Sequence, residues 1–304
     1  MRRDKLLRAI ACFILMLFFT RNAWAHRIVG CEPEWAALAK EIGGELVTVY
    51  SATTGLQDPH HIEARPSLIA MMRNADVLIC TGLGVEGGWL PILLTNSGNP
   101  KIQRGQPGYL EAGNYVQKLD VPASLDRAQG DVHALGNHHI QNNPYNILLI
   151  ADVLAKRLAE INPPNATYYQ TRHKAFAARW RDAIKGWEAQ AAPLKGMGIV
   201  EHHKAWAYLA QWLGMREIAT LEPKPGIEPT ATHLQQLLET LRRDPANLIV
   251  IAPYNDPRAA NWLAEHTKSL VVILPTTIGG TEQAKDLFSL FDDTIRRMLA
   301  AVKH

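Results

Sequence analysis

Asp58-Pro-His-His-Ile-Glu-Ala-Arg-Pro-Ser67 is the stretch that decides how the rest of the chain is interpreted. It follows a strand-like run, ELVTVY at residues 45–50, and leads into a helix-like run at residues 66–73. Adjacent histidines therefore fall in a loop at the carboxyl end of a strand, where open α/β sheets bind their ligands. Pro59 restricts the backbone before His60, which suits a fixed ligand loop. A histidine pair in a loop is more often surface than metal site, so its interpretation depends on the other histidines.

Outward from this loop, short apolar runs alternate with helical ones. Strand-like runs at residues 27–31, 45–51 and 76–80 are followed, after residue 193, by a second series of strands and helices. Such alternation implies parallel strands with helices on both faces of the sheet. Residues 82–143 are rich in Gly, Pro and Asn and predict loops and short strands.

Two helical runs within residues 144–191, with no strand between them, predict a divider between the two series. Trp180 and Trp187 have helical spacing there, which favours a place in the core over a ligand platform. The predicted fold class is α/β, with two lobes of parallel β-sheet flanked by helices and joined by a long rigid helix. The expected division is a segment at 1–25, an N-terminal lobe at 26–165, a linking helix at 166–192 and a C-terminal lobe at 193–304.

The first 25 residues have the pattern of a secretory signal peptide. Basic residues precede an apolar run at residues 9–19 that is too short for an ordinary membrane span, and Ala23-Trp24-Ala25 is an A-x-A cleavage pattern. The residues before Cys12 form a poor lipobox, so we expect soluble export to the periplasm, a mature chain that starts at His26 and no membrane insertion after cleavage.

Removal of this segment changes the charge balance. The whole chain has a formal net charge of +3, but five Lys/Arg and one Asp lie in residues 1–25, so residues 26–304 carry a net charge of −1. The apparent basicity belongs to the export signal, and no nucleic-acid partner is expected.

Cys31 and Cys80 end the first and third strand-like runs. These strands are neighbours in the 2-1-3 order expected of such a sheet, so the two Cα atoms come within bridging range. An exported protein meets an oxidising compartment, which permits a disulfide. Two buried free thiols are the alternative.

Three segments of the sequence contain adjacent histidines: His60-His61 in the first lobe, Asn137-His138-His139 before the divider, and His202-His203 after a strand of the second lobe. Each lies at a ligand-bearing end of an element, so a cleft between lobes would gather imidazoles from both. Imidazole suits zinc, copper, iron and nickel, and it binds in its neutral form.

These segments resemble motifs of the periplasmic zinc- and manganese-binding proteins of ABC importers (the cluster A-I solute-binding proteins). QDPHHIEARPS at residues 57–67 resembles DPHxYEPxPS, and NHHIQNNPYN at 137–146 resembles NPHxWxxPxN. HKAWAYL at 203–209 resembles HxAWxYF, and residues 222–234 resemble an EPxxxPxxxxL stretch. The resemblance covers residues 26–304 in order.

Carried over by position, this resemblance implies His60, His139 and His203 as metal ligands. His138 stands where the family has Pro, and His61 is at a variable position. Asp58 and Glu63 are expected to orient the loop and its imidazole. The family's fourth ligand, an acid, is expected near Thr276, where this chain is neutral. Water held by Thr276, Thr277 or Glu63 is the favoured occupant of the fourth position, and His61, His133 or His138 is the alternative.

The function that these residues imply is capture of a divalent metal, zinc rather than manganese, and its delivery to a membrane permease of an ABC importer. Three imidazoles without a carboxylate favour zinc over the harder manganese ion. A periplasmic metal buffer or chaperone is one alternative, and a three-histidine zinc hydrolase is another. We expect the protein to act as a monomer and not as an enzyme.

Overall fold

The computed structural model describes residues 25–122 and 134–302. The predicted signal segment and cleavage site, Cys12, His133 and His304 therefore lie outside the described residues or at their edge. None of the helices in the described ranges has the length and apolar character required to cross a bilayer.

The first lobe is built on a four-stranded parallel sheet in the order β2-β1-β3-β4. Its strands are β1 (His26–Gly30), β2 (Val47–Ser51), β3 (Val77–Cys80) and β4 (Tyr109–Glu111). Its helices are α1 (Pro33–Gly43), α2 (Pro66–Arg73) and α3 (Leu90–Ser97). Pro in the first turn of each helix fits a position whose N–H has no intrahelical acceptor.

The second lobe repeats this arrangement in the order β6-β5-β7-β8, also parallel. Its strands are β5 (Gly198–Glu201), β6 (Arg216–Thr220), β7 (Leu248–Ile251) and β8 (Leu270–Ile273). Its helices are α6 (Ala207–Leu213), α7 (Ala231–Arg243), α8 (Arg258–Glu265) and α9 (Leu287–Val302). The topology is shared although no sequence repeat connects the two lobes.

Helices α4 (Pro144–Ile161) and α5 (Ala166–Ala191) separate the two sheets. The predicted core aromatics Trp180 and Trp187 are buried on α5, where Trp180 packs against Phe288 and Trp187 against Phe291 of α9. The long helix therefore contacts the second lobe through α9, while it also packs on α1 of the first. The predicted α/β class with two lobes and a long helix is confirmed; the division at residues 165 and 192 stays a prediction.

Alternate residues of the central strands face different cores, as period-2 geometry requires. Ile28 and Ile199 face a central core that both lobes share with α4, α5 and α9. Val29 faces an outer core of the first lobe, and Val200 an outer core of the second. Both faces of each sheet are covered, so the strand ends are where polar side chains are displayed.

Two sequence expectations need correction. The helix α3 lies within residues 82–143, where the sequence predicts loops and short strands. It was not predicted because it is only eight residues long and has glycines on both sides. The helical run at residues 282–302 of the sequence predicts a final helix over its whole length, but the helix begins at Leu287. The Asp286 carboxylate accepts the backbone N–H of Ser289 and thereby caps the first turn.

The predicted disulfide is confirmed: Cys31 and Cys80 are bonded, with their Cα atoms 4.7 Å apart. The bond links the carboxyl ends of β1 and β3, two strands that are hydrogen-bonded neighbours. It lies in the outer core of the first lobe, one residue before the buried Glu32.

Candidate metal centre

The first histidine loop is anchored to the first lobe by Trp89. This buried indole donates its Nε1–H to the carbonyl of Pro59 at 2.8 Å. Asp58 Oδ1 accepts the backbone N–H of His60 at 3.0 Å and lies 2.6 Å from His60 Nδ1. The Asx-type turn thus fixes both the backbone and the imidazole of His60, as expected for Asp58.

The second histidine loop is held between the lobes by Asn137. Its side-chain oxygen accepts the backbone N–H of His139 at 3.0 Å, and its amide donates to the carbonyl of Lys204 in the second lobe at 2.9 Å. The hydroxyl of Tyr208 donates to the Asn137 carbonyl at 3.0 Å. These contacts join Asn137 to Tyr208 of α6 and to Lys204 in the segment before it, so both lobes position the loop.

His203 follows β5, and its Nδ1 lies 2.8 Å from Glu222 Oε2. Glu222 follows β6, the strand beside β5, so parallel pairing brings the carboxylate to the imidazole across 19 residues of sequence. This partner of His203 was not predicted, although the Glu222-Pro223 pair was part of the recognised motif.

In the part of the chain that the structure describes, four imidazoles meet at the cleft. The ring centroids of His60, His138, His139 and His203 lie 4.1–6.3 Å apart in every pair. One nitrogen from each of His60, His138 and His203 lies within 4.8 Å of the others. The His139 ring is 5.4 Å from that of His203 and 6.2 Å from that of His60. Imidazoles from both lobes therefore converge on one place.

The two halves of this cluster differ in exposure. His138 and His139 are each 3% exposed, whereas the side chains of His60 and His203 are 17% and 21% exposed. A narrow cavity of about 40 Å³ lies on the exposed side, lined by Asp58, His61, His203, Glu222 and Tyr254 among others. Solvent reaches the cluster from this side.

Asp58 and Glu222 supply negative charge without facing the centre. Partial burial alone raises the pKa of Asp58, but the hydrogen bonds and charge of His60, together with His61, hold the pKa well below its usual range. A carboxylate on Nδ1 of an imidazole selects the tautomer whose Nε2 lone pair faces away from the carboxylate, and it makes that nitrogen more basic. His60 and His203 are thereby oriented as metal ligands are.

The remaining predicted residues lie outside the cluster. His61 is exposed at the mouth, where its Nδ1 is 3.2 Å from Asp58 Oδ2, and its ring is 6.2 Å from that of His60. Glu63 is exposed and belongs to neither cavity at the centre. Thr276 is buried at 5% exposure and lines a second cavity, of about 20 Å³, together with His139.

Behind the cluster, that second cavity joins the lobes through polar side chains. The amide of Gln141 donates to the carbonyl of Thr276 at 3.1 Å, and the hydroxyl of Thr277 donates to the carboxylate of Glu34. Glu32 also lines this cavity. Sequence reasoning missed both contacts, because they join residues more than 130 positions apart.

Burial raises the pKa of two acids that line this cavity. Burial raises the pKa of Glu34 from 4.5 to about 7, although the hydrogen bond from Thr277 acts in the opposite direction. Burial and the nearby Glu86 raise the pKa of Glu32 well above its ordinary value. Glu86 also lies within 4.8 Å of the sulfurs of Cys31 and Cys80, but those sulfurs are bonded to each other and do not form a metal site.

The family of the chain follows from comparison with known proteins. A family model described as "ZnuA: Zinc-uptake complex component A periplasmic" matches residues 28–301. The chain belongs to this family. Its members are substrate-binding components of transport systems and not enzymes, which sets the hydrolase interpretation aside.

Individual relatives bind different metals according to their names. The "High-affinity zinc uptake system protein ZnuA" of Bacillus subtilis (strain 168) is 21% identical over 250 residues, which are 81% of this chain and 76% of that protein. The "Manganese ABC transporter substrate-binding lipoprotein PsaA" of Streptococcus pneumoniae is 24% identical over 215 residues, 68% of this chain and 66% of that protein.

Among solved structures, a crystal structure of ZnuA superimposes with a TM-score of 0.76 at 24% identity and covers 91% of this chain and 99% of that chain. The likeness establishes the fold. Together with the family match, it confirms the resemblance inferred from the histidine motifs.

Proposed function

We propose that this protein is the periplasmic solute-binding component of a metal ABC importer, which captures zinc between its lobes and delivers it to a membrane permease. His60, His139 and His203 are the ligands carried over from the family motifs. Residues 1–25 are the export signal in this proposal. The observation that carries it is the convergence of imidazoles from both lobes within 6.3 Å, centroid to centroid.

Zinc is favoured over manganese by the chemistry of the cluster. Imidazole nitrogens suit zinc, while manganese prefers carboxylate, carbonyl and water oxygens. The carboxylates of Asp58 and Glu222 are hydrogen-bonded to the Nδ1 atoms of His60 and His203. They offset the charge of a dication through the imidazoles rather than by direct contact.

The experiment is a zinc titration of metal-free protein comprising residues 26–304, in competition with a chelator of known affinity. His203→Ala should lower zinc affinity at least 100-fold, since it removes the ligand from the second lobe. His173→Ala and His233→Ala are matched controls, because the His173 side chain lies on α5 and His233 Nε2 lies 2.9 Å from the carbonyl of Thr220. Zinc binding by His203→Ala at wild-type affinity would refute a site between the lobes.

Delivery is tested separately with vesicles that contain the cognate permease. Zinc-loaded protein should support ATP-dependent zinc uptake, and His203→Ala should not. If the protein binds zinc tightly but no permease accepts it, the protein is a metal buffer or chaperone instead.

A further inference from the structure

His138 occupies a place in the cleft that its sequence position did not predict. Its side chain is buried, and its ring centroid lies 4.7 Å from that of His60 and 4.1 Å from that of His139. One of its ring nitrogens lies within 4.8 Å of a ring nitrogen of His60 and of one of His203. A residue at this location is within reach of anything that His60 and His203 bind together.

The backbone explains how two consecutive imidazoles point to one place. In an extended strand, successive side chains lie on opposite faces. Here the backbone N–H of Ile140 donates to the carbonyl of His138 at 2.8 Å, and His139 has φ −77° and ψ 44°. This is close to an inverse γ-turn, which reverses the chain within three residues. The turn places both rings on the same side, at an interplanar angle of 46°.

The other fourth-ligand candidates that lie within the described ranges are less suitable. Thr276 offers a neutral hydroxyl, a weaker zinc ligand than imidazole. Asp58 and Glu222 hold the Nδ1 atoms of His60 and His203, and His61 is 72% exposed beyond Asp58. Tetrahedral zinc accepts four ligands, and nitrogen of His is among its preferred donors.

We propose that His138 is a direct ligand of the transported metal, so that the centre is a set of four imidazoles: His60, His138, His139 and His203. The proposal rests on the proposed function and specifies its chemistry. Four neutral nitrogens make a closed tetrahedral site with no oxygen donor, which discriminates against manganese through ligand type. His138 then supplies the position that the family's acid near Thr276 fills elsewhere.

X-ray absorption spectroscopy of the zinc-loaded wild-type protein tests this directly. The expected first shell is four imidazole nitrogens at about 2.0–2.1 Å from zinc, with no oxygen scatterer. His138→Ala should show three imidazoles and one oxygen donor, and its zinc affinity should fall about 10- to 100-fold. Its ratio of zinc to manganese affinity should fall as well. His173→Ala, on α5, is the histidine control and should change the imidazole count, the zinc affinity and the metal ratio in no respect.

The outcomes separate this inference from the proposed function. If wild-type protein binds zinc through three imidazoles and His138→Ala binds it equally well, His138 is not a ligand although the transport function stands. If wild-type protein binds no zinc, both proposals fail. The imidazole count in the wild-type protein decides the matter even if the variant does not fold.

Discussion

The two lobes share one strand order but contribute unequally to the cleft. The first lobe supplies three of the four clustered imidazoles and carries a disulfide at the ends of β1 and β3. Among the described residues, the second lobe contributes only His203 to this cluster, and the loop after β8 presents neutral Thr276 and Thr277. Parallel topology thus determines where ligands are displayed, while the loop sequences determine how many each lobe provides. The first lobe therefore supplies more of the clustered imidazoles than the second, and a disulfide constrains its backbone.

The largest expected effect concerns the disulfide of the first lobe. The Cys31→Ala/Cys80→Ala double variant removes a cross-link between residues 49 positions apart, and the chain-entropy relation predicts a loss of about 4 kcal/mol in the free energy of unfolding. Chemical denaturation of metal-free protein measures this loss. Adding a reductant should lower the free energy of unfolding of the wild type by a similar amount and leave that of the double variant unchanged. Two alkylatable thiols in unreduced, denatured wild-type protein would contradict the prediction.

The next prediction compares two carboxylates: Asp58, which is hydrogen-bonded to His60 in the first lobe, and Glu222, which is hydrogen-bonded to His203 in the second. Asp58→Asn and Glu222→Gln should each lower zinc affinity about 10- to 100-fold, because the imidazole loses its orienting and polarising partner. Chelator competition measures both variants beside Glu63→Gln, an exposed acid of the same loop as Asp58, which should bind zinc as the wild type does. A loss in Asp58→Asn alone would mean that the second lobe contributes little to binding.

The third effect concerns Glu34, which the first lobe buries against Thr277 of the second. Burial raises its pKa from 4.5 to about 7. The folded state therefore binds more protons than the unfolded state within this range, and stability falls as pH rises from 4.5 to 7. Glu34→Gln removes this ionisation, so its free energy of unfolding relative to that of the wild type should be about 3 kcal/mol higher at pH 8 than at pH 4.

Denaturation of metal-free Glu34→Gln at several pH values checks this expectation. The exposed Glu45→Gln is the matched control and should retain the wild-type pH dependence. If the free energy of unfolding of Glu34→Gln depended on pH as that of the wild type does, other groups, such as Glu32 and Glu86, would determine this dependence.

Local patterns were sufficient to predict most of the scaffold. The alternation of apolar runs predicted the strands, and strand order 2-1-3 placed Cys31 beside Cys80. The histidine loops were found because each follows or precedes a recognisable element. What could not be predicted depends on contacts distant in sequence: the link from Glu222 to His203, and the contact of Glu34 with Thr277. The orientation of His138 depends on a turn at His139, whose geometry no residue type in Asn137-His138-His139 specifies.

The smallest expected effect tests the neutral loop of the second lobe. Thr276→Asp introduces an oxygen donor where the family's acid is expected, and should raise manganese affinity relative to zinc about fivefold, on the order of 1 kcal/mol. The gain is small because residue 276 is buried, and burial raises the pKa of the new carboxyl group and so opposes its ionisation. Imidazoles already surround the centre, so the acid must also displace one of them or add to them. Competition between the two metals measures the ratio, with Thr276→Asn as the neutral control of the same shape. A ratio equal in the Asp and Asn variants would show that residue 276 does not reach the metal, and that the second lobe acts through His203 alone.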